Sequence, residues 1–261
     1  MLSIKHLSKT YGEGERATRA IGDVSFELGE REFVCVVGPS GCGKTTLLKC
    51  MSGLLEPTAG EVELKGRPVT EPPEEMALVF QDYSRSLLPW LSVRGNVMLP
   101  LRHKKLDKAA SAGLVEDAVE AVGLTGFLDR YPLQLSGGMQ QRVAIARALA
   151  YQPEILLMDE PFASVDAQTR GDLEDLILQV RDRYDMTILF VTHDIDESVY
   201  LSDRIVVLTP SPTEVREILD VSLPRPRDQV ETREQPEFAH LRAHVYRLIK
   251  REQGSAPAQP G

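Results

Sequence analysis

Three cysteines, a single tryptophan and no long apolar run are the telling shortages of this 261-residue sequence. Cys35, Cys42 and Cys50 are odd in number and match no metal-binding spacing, so reduced thiols in a cytoplasmic protein are expected rather than a disulfide framework. No stretch approaches the roughly 18–20 apolar residues that cross a bilayer. Met1 to Thr10 also lacks the basic-then-apolar layout of a secretory signal. If the protein works at a membrane, another chain is expected to supply the membrane part. Positive charge is short as well: 30 Lys and Arg stand against 39 Asp and Glu, a net charge of −9. That balance argues against a general electrostatic grip on nucleic acid or anionic lipid. What remains is an ordinary globular composition, long enough to bury the core of one large domain or two modest ones.

The apolar pattern alternates between strand and helix. Leu2, Ile4 and Leu7 begin an irregular strand, Val24–Leu28 alternates, and Glu32–Val37 is a short run with a buried character. Lys44–Leu55 has helix composition, Glu61–Lys65 alternates again, and Ala77–Phe80 is a compact strand. From Gln81 to about Ala150 helical spacing takes over, as in Leu114, Val115, Ala118, Val119 and Val122, which predicts an inserted helical subdomain. Strand patterns return at Ile155–Met158, Thr187–Val191, Ile205–Leu208 and Val215–Leu219, with a helix through Leu173, Leu176, Ile177 and Val180. Strands alternating with helices imply a mainly parallel sheet covered on both faces. Pro224–Gln235 reads as an extended connector. Phe238, Leu241, Val245, Leu248 and Ile249 then share one face of a helix, expected to pack on its own domain, a membrane-surface helix being the alternative. Gly254–Gly261 is expected to be disordered.

Gly38-Pro39-Ser40-Gly41-Cys42-Gly43-Lys44-Thr45 fits the phosphate-loop pattern G-x-x-x-x-G-K-[ST], after a strand and before a helix. The glycines let backbone N–H groups turn onto phosphates, and the following helix, through Thr46, adds the positive end of its dipole. Lys44 is placed to neutralise the β- and γ-phosphates of ATP, and the Thr45 hydroxyl to bind Mg²⁺. Ile155–Met158 ends in Asp159 and Glu160. Beside a phosphate loop, that strand is the partner whose Asp159 holds the Mg²⁺ shell. Leu135-Ser136-Gly137-Gly138-Met139-Gln140 precedes it, with Ser136 at the start of a helix whose exposed N–H groups suit a γ-phosphate.

With these motifs in this order, residues 1–220 resemble the ABC ATPases. The resemblance implies an α/β P-loop NTPase fold with a mainly parallel core sheet, an antiparallel β subdomain and an inserted α-helical subdomain. It also implies roles for single residues. Glu160 polarises the attacking water, Gln81 is the Q-loop glutamine reaching Mg²⁺ or the water, and His193 is the switch histidine at the γ-phosphate. Ser136, Gly137, Gly138 and Gln140 form the signature, and Asp166, in Ala163-Ser164-Val165-Asp166, matches the D-loop, with Val165 in place of leucine. Tyr11 stands where the family stacks an aromatic on adenine, core packing being the alternative. Cys42 lies inside the loop, so a thiol reagent there is expected to block ATP. In the family the signature completes the ATP site of a second copy, so two copies sandwich two ATP molecules.

Gln81–Trp90, ending Leu-Pro-Trp, is similar to the ATPase subunits of importers for nitrate, sulfonates and taurine. It implies that Trp90 faces a permease; a packing anchor is the other reading. The partners so implied are a second copy, integral membrane permease subunits and, indirectly, a solute-binding protein, with no nucleic acid. The location implied is the cytoplasmic face of the membrane, peripherally bound. Residues 1–222 are expected to form the ATPase domain, with the helical subdomain at about 82–150, and 223–261 the connector, short helix and end. An importer for an amino acid, a polyamine or a pyrimidine precursor is the alternative, followed by a soluble ABC ATPase. The 81–150 segment is far too short for the coiled coil of the repair ATPases.

Overall fold

The computed structural model describes residues 1–82 and 86–254. Along the chain run β1 (Leu2–Tyr11), β2 (Thr18–Leu28), β3 (Phe33–Val37), α1 (Lys44–Met51), β4 (Ala59–Leu64), β5 (Arg67–Pro68) and β6 (Met76–Val79). Then follow α2 (Val93–Met98), α3 (Lys108–Ala121), α4 (Gly137–Ala150), β7 (Ile155–Asp159) and α5 (Ala167–Tyr184). The chain closes with β8 (Thr187–Thr192), α6 (Ile195–Leu201), β9 (Arg204–Leu208), β10 (Thr213–Asp220) and α7 (Pro236–Gly254). Tyr83–Arg85 of the Leu-Pro-Trp stretch and most of the expected disordered end, 255–261, fall outside the described residues.

The chain forms two compact units, one of Met1–Pro73 with Thr187–Gly261, the other of Glu74–Met186. In the first unit, strand order is β5-β4-β1-β2-β10-β9-β3-β8. β3 lies between β8 and β9, parallel to both. Every residue of β3 and β8 is buried, as a strand covered on both faces requires. β1, β2, β4 and β5 pair antiparallel, and β2 alternates buried and exposed residues over its second half. The antiparallel part and the parallel part expected from the sequence are thus both present.

The odd spacing of Leu2, Ile4 and Leu7 has a local cause. The register of β1 against β2 shifts between Ile4 and Leu7, where His6 adopts a φ of 48°. The bulge inserts one residue, so the inward position moves from the second residue on to the third. Gly60 sits opposite at φ 79°, and a Cβ there would run into the His6 carbonyl.

α7 buries Phe238, Leu241, Val245 and Leu248 on its own unit, the face read from its spacing. The connector before it is tied down rather than loose. Arg225 Nη2 lies 2.7 Å from Asp203 Oδ1, Arg227 donates to the Ser202 carbonyl, and the Arg233 guanidinium covers the Tyr200 ring at 5.0 Å.

In the second unit β6 and β7 pair in parallel, Met76 opposite Ile155 and Val79 opposite Met158. α2, α3 and α4 all lie in this unit, within the segment read as helical. Asp107 caps α3 by accepting from the Ala110 N–H at 2.7 Å.

Candidate nucleotide site

The phosphate loop links β3 to α1 in the first unit. Gly41 and Gly43 have φ of 76° and 101°, conformations that an L side chain rarely adopts. A Cβ on Gly43 would also press on the Ala20 carbonyl at 3.3 Å. Cys42 is buried, and its carbonyl accepts from the Thr213 hydroxyl on β10, which fixes the loop to the sheet. The Lys44 side chain is buried and folds back, Nζ donating to the carbonyls of Gly38 at 3.1 Å and Pro39 at 3.2 Å. It therefore spans the loop it is expected to serve. Ser40, Gly41 and Thr45 are exposed, and Thr46 is half-buried.

Tyr11 closes β1 with 43% of its surface exposed, so it is not a core residue. Its hydroxyl shares a hydrogen bond with Thr46 Oγ1 at 3.3 Å, which ties the ring to the first turn of α1. Lys9 Nζ lies 5.6 Å from the ring centroid. This places an accessible aromatic on the helix that follows the phosphate loop.

His193 is exposed at the end of β8, between two anchored neighbours. The Thr192 hydroxyl donates to the buried Glu197 carboxylate at 2.5 Å and accepts from the Asp194 N–H at 3.0 Å. Asp194 in turn caps α6, accepting from the N–H groups of Asp196 and Glu197. The histidine thus projects from a turn with little freedom. A groove of about 790 Å³ opens beside it, lined by Asp194, Asp196, Arg242, Tyr246 and Arg247 among others. Arg242 of α7 reaches the start of α6 by an ion pair with Asp196 at 2.5 Å.

In the second unit, the register of β6 and β7 puts residues 79 apart in sequence side by side, and Gln81 and Glu160 keep that offset two steps beyond the ladder. Gln81 Nε2 donates to Glu160 Oε2 at 3.4 Å. Asp159 is buried at the end of β7, while Glu160 turns away at φ 42°. The left-handed backbone ends the strand there and aims the Glu160 side chain away from its extended-strand direction.

Ser136 caps α4, its hydroxyl accepting from the Met139 N–H at 3.3 Å. Ser136 and Gly137 are exposed, as a surface offered to a phosphate must be. Gln140 turns its NH₂ back onto the carbonyls of Pro132 and Leu135, at 3.0 and 3.2 Å, and braces the approach to the helix. Asp166 caps α5, accepting from the Thr169 N–H at 3.0 Å and the Thr169 hydroxyl at 2.7 Å. The backbone and hydroxyl of Thr169 hold its carboxyl below the usual carboxylate range. Motif position points to Asp166 but not to Thr169, whose signal in the sequence is an Asp followed three residues later by Thr at a helix start. Trp90 is 69% exposed, which removes the packing-anchor reading.

Known proteins resemble this chain over most of its length. The model of the family described as ABC transporter matches residues 21–163. The nitrate import ATP-binding protein NrtD of Synechococcus elongatus is 42% identical over 94% of this chain and 90% of its own length. The bicarbonate transport ATP-binding protein CmpD of Synechocystis sp. is 41% identical over 94% of this chain and 87% of its own. Among solved structures, a bacterial ABC transporter cassette in dimeric form superposes with a TM-score of 0.75 at 33% identity, covering 85% of this chain and 99% of that one. The same cassette in a post-hydrolysis state bound to ADP and Pi gives 0.74 at 32% identity, with the same coverage. With its phosphate loop, its capped signature helix and matches across nearly its whole length, the chain belongs to the ABC transporter family, as one of the ATP-hydrolysing subunits.

Proposed function

We propose that this chain powers an importer for nitrate, a sulfonate, taurine or a related small solute, working at the cytoplasmic face of the membrane through a separate permease. The observation that carries this reading is the likeness, over nearly the full length of both chains, to proteins named for nitrate import and bicarbonate transport. Among the described residues no helix is long and apolar enough to cross a membrane, which accords with permease subunits on other chains. A solute-binding protein would deliver the cargo to them. Trp90, exposed beside Pro89, is the candidate contact for the permease.

In this reading the substrates are ATP and water, and the products ADP and phosphate. Lys44 releases the loop carbonyls and neutralises the β- and γ-phosphates, while the backbone N–H groups of 40–46 cradle them. Tyr11 offers its ring to adenine. Gln81 and Glu160, already in contact, orient the water, and Glu160 takes up its proton late in the reaction. His193 contacts the γ-phosphate from its fixed turn. Mg²⁺ would supply charge neutralisation at the transferred phosphoryl group. The Thr45 hydroxyl, Gln81 carboxamide and Asp159 carboxylate fit it, being oxygen donors, which that ion prefers. Positioning and neutralisation supply most of the catalysis of phosphoryl transfer, so no covalent role for the protein is needed.

Ser136, Gly137 and Gly138 would act on ATP held by a second copy, in keeping with the dimeric form of the similar cassette. Bound ATP then joins the two copies, and its hydrolysis lets them part, a ligand-biased switch.

The test has two arms. Gentle membrane purification of the tagged chain should bring down a spanning permease; recovery without any membrane protein would refute the transport reading. Glu160→Gln should retain ATP binding, lose nearly all turnover and hold an ATP-dependent dimer, whereas Lys44→Ala should bind ATP weakly and stay monomeric. Wild-type turnover in Glu160→Gln would remove that residue from its role.

A further inference from the structure

Gly138 stands in the first turn of α4 with ordinary helical φ, so no backbone strain demands a glycine there. The demand is steric. A Cβ at this position would collide with the Thr169 methyl, Cγ2, on the first turn of α5. Thr169 cannot swing that methyl aside freely, because its hydroxyl is bonded to Asp166 Oδ2 at 2.7 Å. Turning χ1 to relieve the contact would break the bond that holds the Asp166 cap. The two turns are therefore locked: the signature helix abuts the methyl of Thr169, and the hydroxyl of Thr169 holds Asp166.

We propose that Thr169 is a positioning residue that fixes the signature turn to the Asp166 turn, so that both surfaces offered to a second copy keep one relative geometry. The proposal rests on the reading that Ser136 and Asp166 face that second copy. It assigns Gly138 a second reason for being glycine, packing within its own chain, besides any approach to a phosphate.

Three substitutions in the full chain separate the parts. Thr169→Ser keeps the hydroxyl and removes the methyl; with it gone, a Cβ at 138 meets only Thr169 Cβ at 3.8 Å and Oγ1 at 4.0 Å, ordinary contacts. Thr169→Val keeps a methyl against Gly138 and removes the bond to Asp166. The readouts are kcat and KM for ATP, the ATP-dependent dimer in a Glu160→Gln background, and Tm.

Gly138→Ala should lower kcat by about tenfold or more, as expected when reacting groups are displaced by a fraction of an ångström, with ATP affinity of the monomer unchanged. The double variant Gly138→Ala/Thr169→Ser should recover to within about threefold of Thr169→Ser alone, and its Tm should recover too, since alanine is favoured over glycine in a helix. Thr169→Val should lower kcat by about fivefold, the effect of one hydrogen bond, with KM nearly unchanged. Equal loss in the single and double variants would overturn the proposal, showing that glycine is required by the phosphate, and would leave the two-copy reading intact. Wild-type kcat in Gly138→Ala or in Thr169→Val would overturn it as well. Failure of the two-copy reading shows elsewhere: Ser136→Arg would then leave turnover and the Glu160→Gln dimer unaltered.

Discussion

Asn96 is the buried polar residue whose removal has the most calculable outcome. It sits on α2 with no exposed surface, and its carboxamide holds the segment before that helix. Oδ1 accepts from the Leu88 N–H at 2.8 Å, and Nδ2 donates to the carbonyls of Leu88, Leu91 and Ser92 at 3.0–3.1 Å. The carbonyls of Leu88 and Ser92 have other donors, from the N–H groups of Leu91 and Asn96. Asn96→Ala therefore strands chiefly the Leu88 N–H and weakens the Leu91 carbonyl. An orphaned buried donor costs about 1–3 kcal/mol and a lost ordinary bond about 1, so a loss of roughly 2–4 kcal/mol is expected. For a chain of this size that lowers Tm by about 5–10 °C. Asn96→Asp keeps the acceptor and turns a carboxylate oxygen toward three carbonyls, so at neutral pH it should be no more stable than the alanine variant. Denaturant unfolding with an unchanged m-value is the assay. A loss below about 0.5 kcal/mol for Asn96→Ala, the level of an ordinary surface change, would refute the reasoning. So would wild-type stability for Asn96→Asp.

Trp90 lies in the segment that Asn96 holds, so Trp90→Ala should leave ATP affinity unaltered and reduce co-purification of the permease; normal assembly would withdraw Trp90 from that surface. Burial pushes the Cys50 thiol up from 9.0 to about 11, with Lys9 pulling the other way. The unfolded thiol ionises from about pH 9 while the folded one keeps its proton, so this contribution is flat below pH 9 and is lost as pH rises toward 11. Unfolding measured against pH should show a shallower alkaline decline in Cys50→Ala than in the wild type, and identical slopes would contradict the assignment.

Much of the fold was legible because each signal had one local cause. The unbroken apolar runs of β3 and β8 mark strands covered on both faces, and the alternation in Val24–Leu28 marks one covered on a single face. The Leu2, Ile4, Leu7 spacing also held information, since its missed step is the His6 bulge. The connector at 224–235 was less legible. Its polar composition suggests an extended chain, yet Arg225, Arg227 and Arg233 each find a partner on or beside α6 and β9. Such ion pairs and ring contacts depend on what the fold brings near, and composition does not contain that. The Thr169 methyl against Gly138 is of the same kind, a contact between helices 31 residues apart in sequence.

The pairing of Gln81 with Glu160 shows how two weak signals became one strong one. A glutamine after a short strand and a glutamate after an acidic strand end carry little separately. Parallel pairing from Met76–Ile155 to Val79–Met158 fixes which residues stand abreast, and the next step but one brings Gln81 to Glu160. Pairing alone does not orient the carboxylate, however. In an extended continuation of β7, Asp159 and Glu160 would face opposite sides of the sheet, as consecutive strand residues do. The left-handed φ of 42° at Glu160 ends the strand instead and re-aims its side chain, at a cost of about 1–3 kcal/mol for a residue other than glycine. Glycine would relieve that strain but would carry no carboxylate. A glutamate held there at that cost, in contact with Gln81 and next to a buried aspartate, supports the proposed role of Glu160 toward the attacking water.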